Sequence, residues 1–140
     1  MATIANPYAS QDLYIASPHH ERLRDFVSRS PQDHRPFQRQ VDAWWAALAI
    51  GARQKVKTPL PQDAVKFNDG RILAADPWRI IHLELLALAA EGPEILDSPA
   101  EVIRMASEFA NTGFPELLDR LVGQVEPTLN LMVRLEELRQ

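Results

Sequence analysis

Large apolar residues recur along most of this chain at intervals of three and four, the period of helices with one face turned inward. Proline- and glycine-containing stretches separate the periodic runs. Ser17-Pro18 opens a predicted helix through Arg29, with Leu23, Phe26 and Val27 on one face. Pro36 opens a second, reaching Arg53, whose stripe is Phe37, Val41, Trp44, Trp45, Leu48 and Ala52. Adjacent helical residues diverge by about 100°, so Trp44 and Trp45 cannot both centre one contact, and one of them is left for a second interface. Gly51 costs this helix about 1 kcal/mol relative to Ala, and marks either a close helix approach or the helix end.

The strongest pattern spans residues 76–122. Asp76 reads as an N-cap with Pro77 at the first helical position, followed by Ile80, Ile81, Leu83, Leu85, Leu86 and Leu88, and then a Gly92-Pro93 stop. A helix that is apolar almost all round is buried on several sides, so this one is expected at the centre of the fold. Ser98-Pro99-Ala100-Glu101 is a capping box for a helix with Val102, Met105, Ala106 and Phe109 facing inward. Asn111-Thr112-Gly113 reads as its end and Pro115 as the start of another, carrying Leu117, Leu118, Leu121 and Val122. Pro127 opens a last helix, with Leu129, Leu131, Met132, Val133, Leu135 and Leu138 spread over a broad arc.

Alternation changes the period once. Val65-Lys66-Phe67 and Arg71-Ile72-Leu73 flank Asn68-Asp69-Gly70, the signature of a β-hairpin. Two strands alone are marginal, so the hairpin must pack on the helices or pair with Leu13-Tyr14-Ile15. The expected fold is mainly α: a compact single-domain bundle of five to six helices with one small β-hairpin near residues 65–73. Residues 1–10 are expected to form a flexible N-terminus, and residues 11–140 the helical domain.

Composition agrees with an ordinary globular chain. The 140 residues are 46% hydrophobic and 24% charged, without cysteine. No run approaches the ~20 apolar residues of a membrane span, and the N-terminus has no signal-like pattern, so a cytoplasmic location is expected, with no membrane partner. Charge is uneven. Residues 1–57 carry a net +3 and residues 58–140 a net −7, which together give the formal −4.

Candidate chemistry is sparse. No phosphate-binding glycine loop, nucleophile elbow or zinc-protease motif occurs. His19 and His20 are neighbours that diverge around a helix and so make a poor chelate, and His82 has no evident partner for acid–base work. The chain is therefore expected not to be an enzyme, with no catalytic, cofactor-binding or metal-ligating residues.

Two kinds of surface remain. One is a partner interface drawn from Trp44, Trp45, Leu131, Met132, Leu135 and Leu138, facing a larger protein or a second copy. The other is a basic region from Arg22 to Lys57, in which Arg35, Arg39, Arg53, Lys55 and Lys57 are candidate phosphate contacts for weak, sequence-independent nucleic-acid binding. The pair of helices on either side of residues 111–115 is no helix-turn-helix reader. Its second helix carries Glu116 and Asp119 against Arg120, and phosphates would repel it.

The block from Leu86 to Asp97, then Glu108-Phe109-Ala110-Asn111-Thr112-Gly113 and Leu117-Leu118, resembles the dnd system-associated protein 4 family. The likeness takes in Ala47-Leu48-Ala49-Ile50-Gly51 and Pro59-Leu60-Pro61, and covers about residues 37–120. It does not extend to the hairpin or to the helix after Pro127. These are small bacterial proteins encoded beside DNA phosphorothioation and restriction genes. The resemblance implies an accessory role in an antiviral defence or DNA-processing complex, and carries over no active-site residue.

Overall fold

The computed structural model describes residues 5–121. Their secondary structure is mainly helical, with four α-helices: α1 (Ser17–Leu23), α2 (Gln40–Gln54), α3 (Trp78–Glu91) and α4 (Pro99–Leu121). Two strands, β1 (Asp12–Ile15) and β2 (Val65–Asp69), form one antiparallel sheet. Short 3-10 turns at Arg24–Phe26, Gly70–Ala75 and Pro93–Asp97 make the corners. The helix expected after Pro127 lies outside the described residues.

The core is centred on α2 and α4. Val41, Ala43, Trp44, Ala47 and Leu48 of α2 are buried, and so are Met105, Ala106, Phe109, Ala110, Phe114 and Leu118 of α4. Each large side chain removed from water contributes roughly 1.5–3 kcal/mol. Glycine sets how closely the two helices approach. A Cβ on Gly51 would lie 1.8 Å from the Phe109 carbonyl oxygen, and one on Gly113 would lie 1.9 Å from the Ala47 carbonyl oxygen. Of the two readings of Gly51, close packing is the one observed, since α2 runs on to Gln54.

The same contact explains why α4 does not break where the sequence suggests a turn. Gly113 and Pro115 lie inside one continuous helix of 23 residues. An interior proline costs a helix about 3 kcal/mol. Burial of Phe114, Leu117, Leu118 and Leu121 on either side of it outweighs that local cost. Asn111 is no terminator: its side-chain amide donates to the Thr58 and Pro59 carbonyls at 3.2 and 3.1 Å and staples the chain leaving α2 onto α4.

Four other boundaries depart from the sequence reading. The sheet pairs β2 with β1, Leu13 opposite Asn68 and Ile15 opposite Val65, and not with residues 71–73. Asp69 accepts the Arg71 backbone N–H at 2.9 Å and its guanidinium at 2.8 Å, which turns the chain into the 3-10 segment instead of a second strand. The helix α1 stops at Leu23, and α2 begins at Gln40 because Phe37 is bridged in extended form to Val27. Residues 6–10 are not a frayed end, because Tyr8 is fully buried and Asn6 donates to the Gly70 carbonyl at 2.9 Å. Burial, with Glu84 nearby, pushes the Tyr8 phenol up to about 12. The Ser98 cap is as expected, with its hydroxyl accepting the Glu101 N–H at 3.3 Å.

Gly51→Ala and Gly113→Ala should each lower unfolding free energy by about 3 kcal/mol or more, since the new methyl meets backbone that cannot swing aside. Denaturant titration measures this. A loss near zero at both sites would show that the helices are free to separate.

Candidate protein-interaction site

The helix expected at the centre is peripheral. Only Arg79, Ile80, Leu83 and Ala87 of α3 are buried. Trp78, Ile81, Leu85 and Leu88 are 45, 46, 58 and 39% exposed. Their spacing of three, four and three puts them in one stripe along the outer face. The all-round apolar character of α3 therefore divides into an inner face on the body and an outer one presented to its surroundings. Contiguous exposed apolar surface of this kind marks an interaction site.

One end of the stripe is fixed by a cluster of charge and aromatic rings. Arg79 is only 6% exposed, and its guanidinium carbon lies 5.4 Å from the Trp45 ring centre and 5.1 Å from that of Trp78. Trp45 and Trp78 meet edge to face at 5.6 Å, and His82 continues the series against Trp78 at 5.5 Å. Each cation–ring contact is worth roughly 0.5–2 kcal/mol, more as water is excluded. The Arg79 guanidinium donates to Asp42 at 3.0 Å, while Arg39 bridges Asp42 at 2.8 Å and Asp76 at 2.7 Å. Asp76 therefore spends its carboxylate on the two arginines and not on capping α3, whose N-cap residue is Pro77. Burial alone would raise the Asp42 carboxyl, but hydrogen bonds from Arg39 and Arg79 outweigh it and hold it below the ordinary carboxylate range.

The two neighbouring tryptophans separate as their angular divergence demands. Trp44 is fully buried, with its ring 6.2 Å from Phe67, so it is a core residue and is withdrawn from the candidate interface. Trp45 is half-buried and reaches the rim of the stripe through Trp78. Leu131, Met132, Leu135 and Leu138 lie outside the described residues.

The basic candidates are largely engaged with neighbouring acids. Arg35 meets Asp33 at 3.3 Å and donates to the Arg24 carbonyl at 3.1 Å. Arg39 is held by the two aspartates, and Lys57 pairs with Glu91. Arg53 and Lys55 are exposed and form no ion pair among the described residues. Lys55 also closes α2 in the left-handed conformation, at φ 61°. The structure thus does not bring the five together as one open cationic stripe.

The histidines are dispersed. His19 stacks on Phe114 at 5.6 Å, where burial and then the Arg22 cation push it below its ordinary value. His20 meets the Gln40 side-chain oxygen at 3.1 Å, and His34 and His82 are exposed. Among the described residues no group of three or more His, Asp or Glu is placed to hold a metal ion, and no helix is long and apolar enough to cross a membrane.

No family model, curated protein or solved structure matches this chain. The functional reading therefore rests on the residues themselves. The ones missed from sequence are Trp78, Ile81, Leu85 and Leu88, and the signal was present. Their three-four-three spacing is a heptad seam, separate from the inner set of Ile80, Leu83 and Ala87.

Arg79→Ala should cost about 2–4 kcal/mol, because it removes the side chain packed against two rings and takes a cation from Asp42. Arg79→Lys should recover only part, since an ammonium cannot stack on the rings as a planar guanidinium does. Asp42 contributes stability above the unfolded carboxylate pKa, and this is lost as pH falls through its lower folded value. The acid limb of a stability–pH profile should accordingly be shallower in Arg79→Ala. An unchanged profile and stability would mean that the cluster is incidental.

Proposed function

We propose that this chain is a non-catalytic accessory subunit that docks on a larger protein of a bacterial defence or DNA-processing system. The observation that carries the docking half is the outer stripe of α3, backed by Trp45 and held in place by the buried Arg79. A stripe of this kind suits a partner's amphipathic helix, read at positions three and four apart. The class of partner comes from the family resemblance over residues 37–120. A few anchors, tryptophan prominent among them, carry most of the energy at such contacts, which makes Trp78 the expected anchor at one end of the stripe, with Leu85 at its middle.

Purified from its own host, the chain should bring down one larger protein in stoichiometric yield. Leu85→Glu should reduce that yield by about tenfold or more, because it puts a charge at the middle of an apolar contact. The substitution lies at an exposed position, so the body should unfold within about 1 kcal/mol of wild type. A wild-type chain that recovers no stoichiometric partner ends this reading, as does equal recovery by Leu85→Glu.

A further inference from the structure

The corner between α1 and α2 holds two guanidiniums without a matching acid. Arg24 and Arg29 are exposed and form no ion pair among the described residues. Both line one cavity of about 160 Å³, together with His20, Ser28 and Gln40. A water molecule's share of the liquid is about 30 Å³, so the space suits a group of about five heavy atoms, the size of a phosphate. A wider cavity of about 480 Å³ adjoins it across Ser28 and Arg29 and is edged by Ser30, Gln38 and Arg39.

Among the described residues lining the pair, Asp33 is the only carboxylate, and it is turned onto its own loop. It accepts the Arg29 N–H at 3.1 Å and the Arg35 N–H at 3.2 Å, and meets the Arg35 guanidinium at 3.3 Å. Glu21 and Asp25, close by in sequence, line neither cavity. The loop is pinned at both ends. The Ser28 hydroxyl donates to the Asp33 carbonyl at 3.0 Å, and the Arg35 guanidinium to the Arg24 carbonyl at 3.1 Å. A backbone ordered beforehand lowers the cost of binding.

Two further donors are held at the rim. Arg39 is clamped on Asp42 at 2.8 Å and on Asp76 at 2.7 Å, which balance its charge, and its Nη1 has no partner among the described residues. His20 donates from its ring to the Gln40 side-chain oxygen at 3.1 Å, which leaves the Gln40 amide nitrogen unbonded among the described residues. The net positive charge of the site therefore comes from Arg24 and Arg29. A carboxylate is satisfied by one guanidinium fork, whereas several forks and an amide suit a tetrahedral anion with more oxygens. No aromatic ring lines the wider cavity among the described residues, so it offers no platform for stacking the bases of a nucleic-acid strand.

We propose that the cavity bounded by Arg24, Arg29 and Gln40 binds a single phosphate group, free or as the monoester of a small hydroxylated molecule. The wider cavity, edged by Ser30 and Gln38, takes the carrier. The site is remote in sequence from the outer stripe of α3 and stands or falls apart from docking there.

Isothermal titration calorimetry of the full chain, at about pH 8 where the phosphate is doubly charged, tests this at fixed ionic strength. Inorganic phosphate and ribose 5-phosphate should each saturate one site per chain, and ribose should not bind. Arg24→Gln and Arg29→Gln should each weaken binding about tenfold or more, since each removes a charge-assisted hydrogen bond. Both positions are exposed, so the unliganded variants should unfold like wild type. Arg53→Gln takes the same charge from an exposed position outside the cavity and should leave binding unchanged. An ester that binds more tightly than inorganic phosphate places the carrier in the wider cavity, and equal binding identifies free phosphate as the ligand; either upholds the site. No saturation by either up to about 10 mM overturns it. So does an equal loss in Arg53→Gln, which would reduce the effect to net charge. A single-stranded oligonucleotide that binds where neither small phosphate does would assign the arginines to a polyanion surface and overturn it as well.

Discussion

The close approach of α2 and α4 is the constraint on which the rest of the structure depends. Two glycines let backbone meet backbone, at Gly51 against Phe109 and at Gly113 against Ala47. Gly51 and Gly113 each forgo about 1 kcal/mol of helix propensity, and Pro115 forgoes about 3. Large aromatic and leucine side chains packed around the contact, Trp44, Leu48, Phe114 and Leu118 among them, return more than that by leaving water. Once the two helices are set, α1 and the sheet close one side. The segment after α2 is stapled to α4 by Asn111, and α3 is left to lie on the periphery.

That placement accounts for what was and was not legible in the sequence. Helix existence followed from three-four periodicity, and the Ser98 cap and the Gly92 stop were local signals that the structure uses as expected. The break at residues 111–115 was a local signal overruled by a distant contact, because nothing within five residues of Gly113 reveals that Ala47 lies against it. Residues 71–73 form no second strand for a related reason. Asn68-Asp69-Gly70 is a good turn in isolation, but Gly70 has its N–H bonded to Gln11 at 2.7 Å and the Asp69 carboxylate holds Arg71. The partner of β2 is the remote segment around residues 13–15, the other pairing that the sequence allows.

The candidate site was half legible. Divergence of Trp44 and Trp45 announced that one ring belongs to the core and the other to a rim, without saying which. For α3, total hydrophobicity pointed to the centre of the fold, whereas the order of its residues pointed to two faces of unequal use. The inner face carries a buried arginine, a choice that makes sense only with Asp42 supplied by α2 and two rings supplied by α2 and α3. Charge and ring stacking at Arg79, beside the fully buried Ile80, Leu83 and Ala87, occupy only one face of α3 and leave the outer stripe available. The basic residues of the first half of the chain show the converse, because most of them neutralise acids that are remote in sequence or hidden from composition alone.

If α2 and α4 are the organising contact and α3 an attached outer layer, their stabilities must differ. Native-state hydrogen exchange measures this directly. Amides of α2 near Ala47–Gly51 and of α4 near residues 106–114 should exchange only through global unfolding. Those of α3 near Leu85 should exchange through a smaller opening, at least about tenfold faster. Protection of α3 equal to or greater than that of α4 would place α3 at the centre after all, and would contradict this account.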